Sequence, residues 1–154
     1  MKLHLILLTA ALSWGSLFSQ KEGARQVIAG YLDLKVALVK GDVLLAREKA
    51  GALESTLQAG DGLAGDAKDP GILEEVRRIA SAKKVEELRM LLGRLSEKLW
   101  ASRYVDRDNS GITLHYFYCP MKKAYWISDT TAIKNPFYGQ QMLACGKFED
   151  TNNQ

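Results

Sequence analysis

The sequence predicts a mainly α fold, an antiparallel helical bundle with a C-terminal aromatic-rich β-hairpin or loop tail packed on it. Three observations predict it. Apolar residues recur at alternating spacings of three and four from Val27 to Leu99, the period of one helix face. Gly41-Asp42 and Asp69-Pro70 interrupt that pattern where helices stop and start. Tyr104, Tyr116, Phe117, Tyr118, Tyr125, Trp126, Phe137 and Tyr138 then crowd the segment after the last helical repeat. At 154 residues, 47% hydrophobic and 25% charged, the chain has the size and composition of one ordinary globular domain.

Residues 1–19 read as a cleaved signal peptide. Lys2 supplies a positive start, Leu3 to Leu12 is apolar apart from His4 and Thr9, and Ser13, Gly15, Ser16 and Ser19 are small. The run is shorter than the roughly 20 residues of a spanning helix, and Gln20-Lys21-Glu22 stops it. A periplasmic location without stable membrane insertion follows as the expectation. Residues 20–103 form the bundle. Val27, Tyr31, Leu34 and Leu38 make one stripe, Gly41 ends the helix, and Asp42 is an N-cap for the next. Val43, Ala46, Ala50, Leu53 and Leu57 make the second stripe. Gly60 to Lys68 is a glycine- and aspartate-rich loop. Pro70 then opens a third helix with Ile72, Val76 and Ile79 on its apolar face. Val85, Leu88, Leu92, Leu95 and Leu99 make the fourth, with Arg89 and Ser96 beside the stripe as packing or capping groups. Short connections favour antiparallel neighbours.

Residues 104–148 are the tail of the same domain, with 149–154 expected to be a disordered terminus. Ile112 to Cys119 and Ala124 to Ser128 have strand composition, and Pro120 to Lys123 can turn between them. Asn135-Pro136 and Tyr138-Gly139 are turn signals. Such a tail has too little apolar surface for its own core and must fold back on the helices.

The chemistry is bounded by what is scarce. Only two histidines are present, and His4 lies in the leader, which leaves His115. No nucleophile elbow, phosphate-binding glycine loop, dinucleotide fingerprint or H-E-x-x-H is present, and no enzymatic activity is expected. The net charge of +3 is spread along the chain, so no nucleic-acid footprint follows. Asp106-Arg107-Asp108-Asn109-Ser110-Gly111 begins like a calcium loop. Its twelfth position is Phe117, where a bidentate glutamate is required, and the segment reads as a polar turn.

Both cysteines lie in the tail, each beside a methionine: Cys119-Pro120-Met121 and Met142-Leu143-Ala144-Cys145. In an extended chain Cys119 and Met121 share a face; in a helical turn Met142 and Cys145 meet. Two thiols and two thioethers form a soft donor set of the kind that selects Cu(I). His115, on the face of Cys119 in a strand, is a further candidate ligand. By spacing alone, two cysteines in an exported protein more usually form one structural disulfide, with the methionines as filling.

The tail motifs resemble those of an uncharacterised bacterial periplasmic domain that occurs alone and fused to membrane-fusion (adaptor) subunits of heavy-metal efflux pumps. The residues that carry the resemblance are Tyr118-Cys119-Pro120-Met121, Ala124-Tyr125-Trp126-Ile127-Ser128, Ile133-Lys134-Asn135-Pro136-Phe137-Tyr138-Gly139 and Met142-Leu143-Ala144-Cys145-Gly146. Weaker similarity lies in Tyr31 to Val39 and in Arg89 with Leu95-Ser96. The turn after Met121 is shorter than in that domain, and Leu91 stands where many of its members carry a histidine. The resemblance implies a role in copper or silver handling, with Cys119, Met121, Met142 and Cys145 as ligands of Cu(I) or Ag(I). It also implies an efflux-pump adaptor or another periplasmic metal-handling protein as partner. The alternative is a non-enzymatic, partner-binding helical module locked by a Cys119–Cys145 disulfide.

Overall fold

The computed structural model describes residues 4–59, 70–102 and 104–152. Four long helices, α1 (His4–Lys40), α2 (Val43–Ala59), α3 (Pro70–Ser81) and α4 (Val85–Trp100), are followed by the single turn α5 (Arg107–Ser110). Strands β1 (His115–Cys119), β2 (Ala124–Ser128) and β3 (Lys147–Thr151) complete the chain, with a 3-10 turn at Gly139–Met142. The fold is therefore mainly α with a small antiparallel sheet at its C-terminal end, as the apolar periodicity predicts. The expected loop at Gly60 to Lys68 and the residue before Pro70 lie outside the described residues.

The stripes read from the sequence are the core. Val27, Tyr31, Leu34 and Leu38 of α1 are buried with Ala46, Ala50 and Leu53 of α2, Ile72, Val76 and Ile79 of α3, and Leu88, Leu92, Leu95 and Leu99 of α4. Contacts run in opposite chain directions across neighbouring helices. Asp33 pairs with Lys49 at 3.2 Å, and Gly30 lies under Leu53. Arg47 Nε donates to the Ala80 carbonyl, and Arg77 pairs with Glu54. So α1 and α2, and α2 and α3, are antiparallel. Gly41 ends α1 with a φ of 73°, a left-handed conformation that costs glycine little. Asp42 caps α2, its Oδ1 accepting from the Leu45 N–H at 2.9 Å. The helix α1 is continuous through the expected leader junction at Ser19-Gln20. No described helix is long and apolar enough to cross a membrane.

The sheet has the order β2-β1-β3, with both pairings antiparallel. Residues 149–152 depart from the expected disordered terminus. Asp150 and Thr151 pair with β1. The Asn152 side chain accepts from the Leu114 N–H and donates to the carbonyls of Val105 and Ile112. Four polar residues in a row look like a loose end, but their backbone completes the outer edge of β1.

One chain of hydrogen bonds joins sheet to bundle. The Ile127 N–H, on the outer edge of β2, donates to the Tyr31 hydroxyl at 3.0 Å. Tyr31 Oη lies 2.7 Å from Ser96 Oγ, and Ser96 Oγ donates to the Leu92 carbonyl at 2.7 Å. Because the serine proton is committed to Leu92, the tyrosine donates to the serine and accepts from Ile127. Every proton in the series has one direction.

Burial raises the Tyr31 pKa from 10.0 to about 12, outweighing the bonds from Ile127 and Ser96. Between pH 10 and 12 the folded chain keeps this proton while the unfolded chain releases it, so stability falls as pH rises across that window. The wild type should lose about 3 kcal/mol there through this group, beyond whatever the remaining titrating groups contribute. Tyr31→Phe should cost about 1–3 kcal/mol at pH 7, because the Ile127 N–H loses its partner. Urea unfolding of both proteins at pH 7 and across pH 10–12 checks this: the deficit of the variant should shrink or invert at the alkaline end.

Candidate functional site

The strand β1 alternates its residues between two faces. Tyr116 and Tyr118 lie on one, where Trp100 stacks on Tyr116 at 4.6 Å and Tyr125 stacks on Tyr116 at 4.8 Å. His115, Phe117 and Cys119 lie on the other, where Phe117 stacks on Trp126 at 5.2 Å and Phe137 meets the Trp126 ring edge-on at 6.0 Å. Cys119 ends this second row and is fully buried.

Asn135 joins the two sulfur-bearing segments. Its Nδ2 donates to Cys119 Sγ at 3.2 Å and to the Cys145 carbonyl at 2.6 Å. Its Oδ1 accepts from the Phe137 N–H at 2.7 Å, an Asx turn that fixes the amide plane. Its own N–H donates to the Leu143 carbonyl at 2.8 Å. A fully buried amide with all these groups matched is a rigid clamp. Below it the Cys145 N–H donates to the Met142 carbonyl at 3.1 Å, which closes one turn from thioether to thiol. The backbone after Cys145 presses on the indole: a Cβ at Gly146 would stand 2.3 Å from Trp126 Cη2, so only glycine fits.

The candidate ligands therefore fall into three places. Cys119 and the Met142–Cys145 turn meet at Asn135, with Cys119 buried and Met142 and Cys145 half-buried. Met121 stands in the β1–β2 turn and is 59% exposed. His115 shares the face of Cys119 but sits four residues earlier, roughly 13 Å of strand away. Phe117 and Phe148 flank its ring, and its buried Nδ1 has no hydrogen-bond partner. Both cysteines are free thiols. Among the described residues no three histidine, cysteine or carboxylate side chains form a metal-binding group. The donors gathered here are sulfur, unlike the oxygen ligands of calcium; thiolates also bind zinc, and the thioether is the donor that suits a soft monovalent ion.

Sequence reasoning missed Asn135 as more than a turn residue. Its position before Pro136, between the two sulfur segments, was the available signal. Arg89, expected as a packing or capping group, caps the C-terminal end of α1. That guanidinium reaches the Leu38 carbonyl at 3.5 Å, placing a positive charge at the C-terminus of α1, where the helix dipole favours it.

A family model described as a protein of unknown function, DUF3347, matches residues 27–108. The chain belongs to the DUF3347 family. The match runs from within α1 to the middle of α5, so it takes in most of the bundle of this DUF3347 domain, and both cysteines lie beyond it. No curated protein and no solved structure matches the chain.

Asn135→Ala should orphan the Cys145 carbonyl and the Phe137 N–H, at about 1–3 kcal/mol for each group left buried. In the native reduced wild type a thiol reagent should modify Cys145 well before Cys119. In the variant the two rates should converge, and timed labelling with mass analysis checks both. Gly146→Ala should destabilise by about 1–3 kcal/mol through overpacking and raise the exposure of Trp126, read by a red-shifted tryptophan emission.

Proposed function

We propose that this DUF3347 protein binds a soft metal ion, Cu(I) or Ag(I), as cargo through Cys119, Cys145, Met142 and Met121. It acts as a non-enzymatic carrier, buffer or sensor beside a heavy-metal efflux system in the periplasm. The observation that carries the reading is the meeting of Cys119 with the Met142–Cys145 turn at one buried amide. Thiols and thioethers are soft donors that discriminate against magnesium and calcium. A thioether also survives in an oxidising compartment, where paired thiols are lost to disulfide formation. Met121, exposed in a turn directly after Cys119 and Pro120, is the donor free to swing toward an arriving ion. His115, a strand's length away, is left out of the ligand set. The tail's resemblance to domains fused to efflux adaptors supports such an adaptor as the partner.

The test is titration of the reduced protein with Cu(I) against a competing chelator. Wild type should bind one ion. Met121→Leu and Met142→Leu should each weaken binding at least about tenfold, the equivalent of 1.4 kcal/mol, while stability changes by less than about 1.5 kcal/mol, since the swap conserves volume. Absence of binding in the wild type, or equal affinity in all three proteins, overturns the proposal and favours the partner-binding helical module.

A further inference from the structure

A cleft of about 610 Å³ opens between α4 and the sheet end of the tail. Its size lies within the range of small-molecule sites. Its walls combine two kinds of surface. Arg89, Arg94, Lys122 and Lys123 bring four positive charges, against two negative ones from Glu86 and Glu97. Met90, Ala124 and the half-buried Tyr138 supply apolar and aromatic surface between them, with the buried Phe137 behind.

The charges are not spent on one another. The ion pairs of the described residues involve Lys35, Lys49, Arg77 and Arg78, and neither the four cations nor the two glutamates of the cleft take part. Lys122 rests over the Tyr138 ring, 4.8 Å from its centroid, which draws the ammonium in over the cleft wall. Arg89 is held by the C-terminus of α1, and its buried Nε has no hydrogen-bond partner. Met90 is 53% exposed beside these groups. A thioether and an aromatic ring beside an excess of two positive charges match a ligand with a flat apolar body and an anionic head.

We propose that this cleft is a binding site for a small aromatic carboxylate. The carboxylate takes hydrogen bonds from Arg94, Lys122 and Lys123, and the ring lies against Met90 and the open part of Tyr138. None of Cys119, Met121, Met142 and Cys145 lines the cleft, and binding there does not require metal.

The probe is 1-naphthoate, titrated into the full chain by calorimetry, with 1-naphthalenemethanol and acetate as the two half-ligands. Naphthoate should bind at one site, and each half-ligand at least about tenfold more weakly, because one lacks the charge-assisted bonds and the other the apolar contact. Arg94→Gln with Lys122→Gln should weaken naphthoate at least about tenfold; both side chains are at the surface, and far-UV circular dichroism verifies the fold. Glu86→Gln, which removes a charge of the ligand's own sign, should tighten binding and make it fall more steeply with added salt. No naphthoate binding, equal affinity for naphthoate and its alcohol, or indifference to all of these substitutions overturns the proposal.

Discussion

The phenol of Tyr31 is the group on which the joining of the two halves depends. A two-layer arrangement of helices and a short sheet leaves the outer edge of β2 facing the bundle, and a buried N–H with no acceptor costs as much as the contact would gain. Tyr31 removes that cost by accepting from Ile127 and passing its own proton to Ser96, which passes its proton to Leu92. The sheet, α1 and α4 are thereby tied through a set of bonds with a single possible direction. The aromatic packing on both faces of β1 goes with that placement. With the edge fixed, Trp100 stacks on Tyr116 on one face of β1, and Trp126 is enclosed by Phe117 and Phe137 on the other. One residue further along β2, Lys35 repeats the arrangement from α1 by donating to Ser128 at 3.1 Å, and burial lowers its pKa.

The bundle was legible because its physics is periodic. Spacings of three and four identify a buried face without knowledge of what covers it, so Tyr31, Leu34, Leu92 and Leu95 could be assigned to the core from their neighbours in the chain alone. Asp42 and Gly41 were legible for a local reason, since a cap acts within one turn. The third strand was not, because Lys147 to Thr151 is polar apart from Phe148 and draws its order from β1, 29 to 36 residues earlier. Asn152 has the same character: its value lies in three backbone groups of Val105, Ile112 and Leu114. The sulfur residues were visible as residue types, while the way they are gathered was hidden in Asn135. A single amide satisfying groups on two loops leaves no periodic trace.

This division follows the family match. The matched residues 27–108 are the helices, whose task is to be a stable platform. The thiols and their clamp lie in the tail, where short strands and turns allow side chains from distant positions to meet. Asn135 gives that part its rigidity in place of a deep apolar layer. Gly146 gives the close approach of the backbone to Trp126.

The distance along the chain between Tyr31 and Ile127 has a consequence for how the molecule comes into being. The two residues are 96 positions apart, and closing so long a loop costs entropy that only later contacts repay. A nascent chain that has emerged as far as Trp100 holds four helices with their apolar stripes but no β2 to receive the phenol. Its α4 surface at Gly93, destined for Ala124 and Phe137, is still bare. Completion of the native state is thus a whole-chain event that waits for the tail.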